Sequence, residues 1–167
     1  MPNRTDQMVS KGMEAEKALK ATVKGLVGVF KTLMEQHGAV SGLMRRVQGD
    51  EELRADLWPQ IRRELLSHER GELRVVYPAL RASPETAALA ERHDAEAALL
   101  EQQIAKVDAE SIDGEAWGDR FEELVELVKK HVDDEESNIF PAGQKAIGKD
   151  RARELEPLFL EDRKSVV

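Results

Sequence analysis

Cysteine is absent from the 167 residues. Disulfides, thiolate nucleophiles and iron–sulfur clusters ligated by this chain are excluded with it. Positive charge is in short supply: 25 Lys and Arg against 33 Asp and Glu leave a net charge of −8, so nucleic acid is a poor partner. No apolar run approaches the roughly 20 residues that cross a membrane. The opening Met1-Pro2-Asn3-Arg4-Thr5-Asp6 lacks the apolar core of a secretory signal. The cytoplasm is the expected location, which the lack of cysteine fits. Aromatic residues make up only 4% of the chain.

What remains is a helix-rich composition dominated by Leu, Ala, Glu, Lys and Arg. The length suits one domain with a real core, spanning 1–167 with its centre at about 20–143. Residues 1–10 read as a loose polar start. A first helix is expected from about Lys11 to Val47, with an apolar stripe through Leu26, Phe30, Leu33, His37, Val40 and Met44. Gly25, Gly28, Gly38 and Gly42 weaken it, by up to about 1 kcal/mol each relative to Ala. A second helix runs from about Glu51 to Tyr77, kinked or split by Pro59 and closed by Pro78. A third runs from Pro84 to Asp108, with Ser83 as its N-cap. A fourth runs from Glu115 to Ile139 and ends at Pro141 and Gly143. The pattern predicts an all-α protein, an antiparallel up-down-up-down four-helix bundle. A short fifth helix over about 150–163 would pack Leu155, Leu158 and Phe159 across it.

A repeat runs through this pattern. His68 is followed four residues later by Glu72, then by Tyr77-Pro78; His131 is followed by Glu135, then by Phe140-Pro141. A step of four on an α-helix advances about 400°, so each His and Glu share a face. His37 and His93 stand alone on the other two helices. All four histidines of the chain thus lie on apolar stripes, one per helix, and two glutamates share those stripes. Their levels from the connecting turns agree to within about one helical turn at ~1.5 Å per residue. Ionised glutamate in an apolar core is costly unless paired or bound to metal. No Lys or Arg lies on the same stripes. His37, His68, Glu72, His93, His131 and Glu135 are therefore the expected metal ligands. Four imidazoles and two carboxylates suit a pair of transition-metal ions better than Mg²⁺ or Ca²⁺. Iron is the expected metal, with zinc chemically possible. One structural alternative applies to each lone His, which is more often a satisfied core residue.

This arrangement resembles the hemerythrin-like, or HHE cation-binding, domains over about Lys20–Gly143. The resemblance implies a four-helix bundle holding two non-haem irons with an oxo or hydroxo bridge. His37, His68, His93 and His131 would be terminal ligands, with Glu72 and Glu135 as bridges. Oxygen-carrying hemerythrins place a further His one turn after the third-helix His, where this chain has Ala97. The four-His, two-Glu set is closer to bacterial di-iron proteins implicated in iron-centre repair and nitric oxide handling, which usually carry an added cysteine-containing segment. One iron is thus expected to lack a protein ligand, unless Glu69 or Glu96 moves in; both otherwise read as solvent-facing. Of the run Asp133 to Glu136, only Glu135 lies on the stripe. Tyr77 and Phe140 read as helix-end packing, and Trp58 and Trp117 as core anchors. The expected function is binding or turnover of a small oxidant, whether O₂, NO or peroxide. Iron storage, delivery or sensing without turnover is the alternative. The redox partner is undefined, and either a monomer or a homodimer is compatible.

Overall fold

The computed structural model describes residues 3–164, and among them every regular element is helical. The helices are α1 (Arg4–Val23), α2 (Gly28–Gly49), α3 (Arg54–Gly71), α4 (Tyr77–Arg81), α5 (Ala87–Asp108), α6 (Glu115–Asp134), α7 (Phe140–Ile147) and α8 (Lys149–Arg163). A 3₁₀ turn, Glu51–Leu53, precedes α3. π-Helical turns, Glu72–Val76 and Glu135–Ile139, join α3 to α4 and α6 to α7. Two of the four bundle rods are therefore composite, running 54–81 and 115–147. None of the described helices is long and apolar enough to cross a membrane.

The core has two apolar halves. One gathers Val40, Leu43, Leu57, Trp58, Ile61, Leu100, Ile104, Trp117 and Phe121. The other gathers Leu26, Phe30, Leu33, Val76, Leu80, Ala90, Ile139, Phe140, Leu155 and Phe159. Following the chain, α2 passes from the second half to the first and the α3–α4 rod returns. Then α5 passes again to the first half and the α6–α7 rod returns. That alternation is the expected up-down-up-down order. Trp58 and Trp117 meet edge to face at 5.8 Å between ring centroids, as anchors of the first half.

Several boundaries differ from the sequence reading. The expected helix from Lys11 to Val47 is two helices. The polar start is helical from Arg4, and the side chains of Asn3 and Asp6 each accept the other's backbone N–H in a capping box. Residues 1 and 2 of that start lie outside the described residues. The chain reverses at Gly25 (φ 74°) and Gly28 (φ 57°), values that L side chains rarely adopt. The glycines read as weak points of α2 form its contact face. A Cβ on Gly38 would sit 2.3 Å from the Met13 carbonyl oxygen, and one on Gly42 would sit 2.7 Å from the Ser10 Cα. Only hydrogen at these positions lets α1 lie this close.

The prolines do not end helices here. Pro59 lies inside α3, and the split falls earlier, at the 3₁₀ turn. Pro78 and Pro141 sit just beyond π turns, and their rods continue to Arg81 and Ile147. Ser83 does not cap α5. Its hydroxyl donates to the Glu85 carboxylate, and α5 starts at Ala87 after Thr86. The fifth helix forms as α8 with Leu155 and Phe159 buried, but Leu158 faces out at 54% exposure.

Candidate metal centre

Between the two apolar halves lies a polar layer. His37, His68, His93 and His131 come from α2, α3, α5 and α6, and all are buried. Glu72 and Glu135 are fully buried and each opens a π turn. The spacing explains both devices. In an α-turn residues four apart stack, which puts His68 over Glu72 and His131 over Glu135. In a π-turn the hydrogen bond runs five residues. The N–H of Tyr77 accordingly donates to the Glu72 carbonyl and that of Phe140 to the Glu135 carbonyl. Both aromatics are thereby turned inward.

The glutamates reach across the bundle. One Glu72 oxygen contacts His68 Nε2, and the other lies 3.0 Å from His93 Nε2. Oε1 of Glu135 lies 3.3 Å from His37 Nε2 and 3.2 Å from His131 Nε2. The Nε2 atoms of His37 and His68 face each other at 3.1 Å.

Glu69 belongs to this layer, which corrects its reading as solvent-facing. It is 3% exposed. Its carboxylate lies 3.0 Å from His131 Nε2 and 3.3 Å from His93 Nε2. At this level Leu65 through Glu69 are all buried. Phe159 of α8 covers α3 so closely that a Cβ on Gly71 would meet its ring at 2.5 Å. Several faces of α3 are therefore interior, and one 100° step from His68 still points inward. Ala97 is buried at 2% exposure and offers no donor. Its lack, together with the His68-Glu69 dipeptide, was the available signal. Glu96 does not enter the layer; it is the hydrogen-bond partner of His131 Nδ1 at 2.9 Å.

Two more residues depart from their sequence reading. The Tyr77 hydroxyl donates to Glu135 at 2.6 Å, and its ring stacks on His93 at 3.6 Å between centroids. Phe140, its counterpart in the second repeat, stacks on His37 at 5.7 Å without a polar contact to offer. Glu136 is not on a solvated face. It is 5% exposed and lies 2.8 Å from His37 Nδ1. Gln36 holds His68 Nδ1 at 2.9 Å. These outer partners turn three Nε2 atoms toward the common centre.

The charges conflict if only protein groups are counted. Burial disfavours the imidazolium of His37, but the carboxylates of Glu135 and Glu136 prevail and lift it to about 9. Burial likewise disfavours a charge on His93, which Glu69 and Glu72 nonetheless raise to about 10. His68 falls to about 3, through burial and then the charge of His37. Glu72 is driven well above the usual carboxylate range, first by burial and then by Glu135 and Glu69. Glu69 opposes its own burial through His131 and His93 and drops to about 2.

The layer satisfies its own hydrogen bonds poorly. Both oxygens of Glu72, one each of Glu69 and Glu135, Nε2 of His131 and both ring nitrogens of His93 are buried without a hydrogen-bond partner. Apart from Nδ1 of His93, these atoms crowd one another while missing hydrogen-bond geometry, so their lone pairs converge on shared points. Two donor groups result. His37, His68, Glu72 and Glu135 form one; Glu69, Glu72, His93, His131 and Glu135 form the other. Within each group the donor atoms lie within 4.8 Å of one another. Glu72 and Glu135 are common to both, so the residues fit a pair of adjacent ions.

A helical bundle with this buried layer is a metal-binding scaffold. Residues 28–142 match the hemerythrin HHE cation binding domain, and the chain belongs to that family. The matched span holds all six expected ligands and Glu69, and leaves α1 and α8 outside. No curated protein and no solved structure matches the chain. Family membership suggests iron as the ion.

Glu69 provides a local test. Glu69→Ala should weaken binding in the His93/His131 group by about tenfold or more, while the His37/His68 group keeps its ion. Stepwise metal titration followed by calorimetry checks this. Two unchanged binding steps would remove Glu69 from the donor set.

Proposed function

We propose that this is a non-haem di-iron protein that binds or turns over a small oxidant. The observation carrying this reading is that the two donor groups share Glu72 and Glu135. His37 and His68 would hold one iron, and His93, His131 and Glu69 the other. Such an iron pair supplies redox equivalents and open coordination positions for O₂, NO or peroxide.

The protein's own part is orientation and exclusion. Gln36, Glu136 and Glu96 fix three imidazoles, and Tyr77 fixes Glu135 by donating to it. Burial and the neighbouring carboxylates push Tyr77 well above the ordinary phenol range, so its proton stays in place as a donor. A cavity of about 20 Å³ adjoins the layer on the His37, His68 and His131 side, walled by Val40, Leu65, Leu100, Val128 and Val132. It suits one small molecule of about the size of water or a diatomic. Glu69 offers the His93/His131 group a carboxylate where Ala97 offers no donor, so the His37/His68 group has the fewer protein donors. The cavity is lined by His37 and His68 of that group and by Glu69 and His131 of the other, so a small molecule in it would lie beside both.

The test is elemental analysis after iron loading, followed by visible spectra with azide, NO and peroxide. Two irons per chain and a spectral change on azide addition are expected. One iron or none would defeat the proposal. Spectral change with no consumption of NO or peroxide would favour sensing or storage over turnover.

A further inference from the structure

We propose that Lys17 of α1 is a positioning residue for the metal centre, acting through Glu136 on His37. This rests on the di-iron reading above, but it concerns a part of the chain outside the span matched to the family.

The contacts form a line from surface to centre. Lys17 Nζ pairs with Glu136 Oε1, and Glu136 Oε2 lies 2.8 Å from His37 Nδ1. Lys24, the residue that caps the C-terminal end of α1, donates to the Glu136 carbonyl at 2.8 Å. The close seating of α1 on Gly38 and Gly42 brings both lysines to Glu136. The Glu136 side chain is only 7% exposed. A carboxylate so placed needs a counter-charge, and Lys17 provides it.

The other outer contacts are unlike this one. His68 leans on the neutral amide of Gln36. His131 leans on Glu96, whose side chain is 28% exposed and whose nearest cation, Arg92, stands 3.9 Å away and half-exposed. Of the four histidines, only His37 has a nearly buried carboxylate held by a lysine from another helix. Such a carboxylate strengthens the histidine as a donor by drawing on its Nδ1–H. The ammonium moderates that pull by sharing the negative charge. Lys17 therefore sets how strongly His37 donates, and with it the balance between reduced and oxidised iron on that side.

Charge changes on the two partners should act in opposite directions. In Lys17→Met the unmoderated Glu136 pulls harder, and at a fixed potential the ferrous-to-ferric ratio should fall by about tenfold, ~59 mV for a one-electron couple. In Glu136→Gln the ratio should rise. Lys17→Arg should restore the parent behaviour. The second readout is the His37 Nδ1–H proton resonance, recorded in zinc-loaded and in metal-free protein. It should move downfield in Lys17→Met and upfield in Glu136→Gln. An unmoved resonance in Lys17→Met, or shifts of the same sign in both variants, overturns the proposal. If the parent takes up no iron, the di-iron reading fails, and the resonance alone still decides the role of Lys17.

Discussion

The Glu135→Ala protein is expected to carry at most one metal ion per chain after loading, where the parent is expected to carry two. Glu135 belongs to both donor groups, and its Oε1 stands within 3.3 Å of both His37 Nε2 and His131 Nε2. Its loss takes a donor from each ion at once. It also leaves the Tyr77 hydroxyl buried without its acceptor, which costs about 1–3 kcal/mol of stability. Glu72→Ala should behave alike, since Glu72 is the other shared residue. Glu96→Ala is the contrast. It removes only an outer partner of His131, so it should weaken binding by about 10–100-fold while two sites remain. Elemental analysis with circular dichroism on each variant checks the difference. Two ions retained in folded Glu135→Ala would strike Glu135 from the ligands.

Stripping the metal should lower the melting temperature by roughly 8–16 °C for each ion removed. Ion binding to the folded state alone at a thousandfold excess over Kd contributes about 4 kcal/mol. Each kcal/mol moves Tm by ~2–4 °C in a chain of this size. Equal melting temperatures for loaded and stripped protein would count against a buried site. The stripped protein should also depend on pH in a defined way. His37 at about 9 and His93 at about 10 lie above the ordinary histidine value of 6.5. Their contribution is complete below about pH 6.5 and is lost as pH rises through 9 to 10. Glu72, also raised, adds to the same trend, because folding holds its proton. Glu69, lowered to about 2, contributes above about pH 4.5 and stops doing so as pH falls toward 2. Urea unfolding of stripped protein from pH 6.5 to 10 should show declining stability. A flat profile would mean that the buried imidazoles are neutral.

The bundle and its polar layer were legible because they rest on period. Apolar stripes at steps of three and four marked the four rods, and His at one level on each stripe marked the layer. What escaped the sequence depends on neighbours. Glu69 looks solvent-facing if α3 is buried on one face, and it is interior because α8 and the facing helices enclose that level. Glu136 follows Glu135, and at an α-helical step it points away; within the π turn, with α1 beside it, it meets His37. The long first helix splits because Gly25 and Gly28, weak helical positions by propensity alone, have φ angles that turn the chain. Gly38 and Gly42 became a docking face for a helix that periodicity alone could not pair. Tyr77 was separable from packing only by its hydroxyl, since Phe140 fills the matching place in the other repeat.

The two π turns act as single-residue phase shifters. Each adds one residue to a rod that continues past it, so that the downstream segment is offset by about 100° from the α-helical phase set by the histidine. Before the shift, the rod presents a His and a Glu; after it, the rod presents an aromatic ring to the histidine of a neighbouring helix. Wound as plain α-helix with every residue kept, the segment from Glu72 to Tyr77 would leave His68 and Glu72 in register with each other. The phenol would swing about 100° off His93 and away from Glu135. The π winding between glutamate and aromatic thus fixes contacts between helices, and a change of winding there reaches the metal layer without altering any ligand.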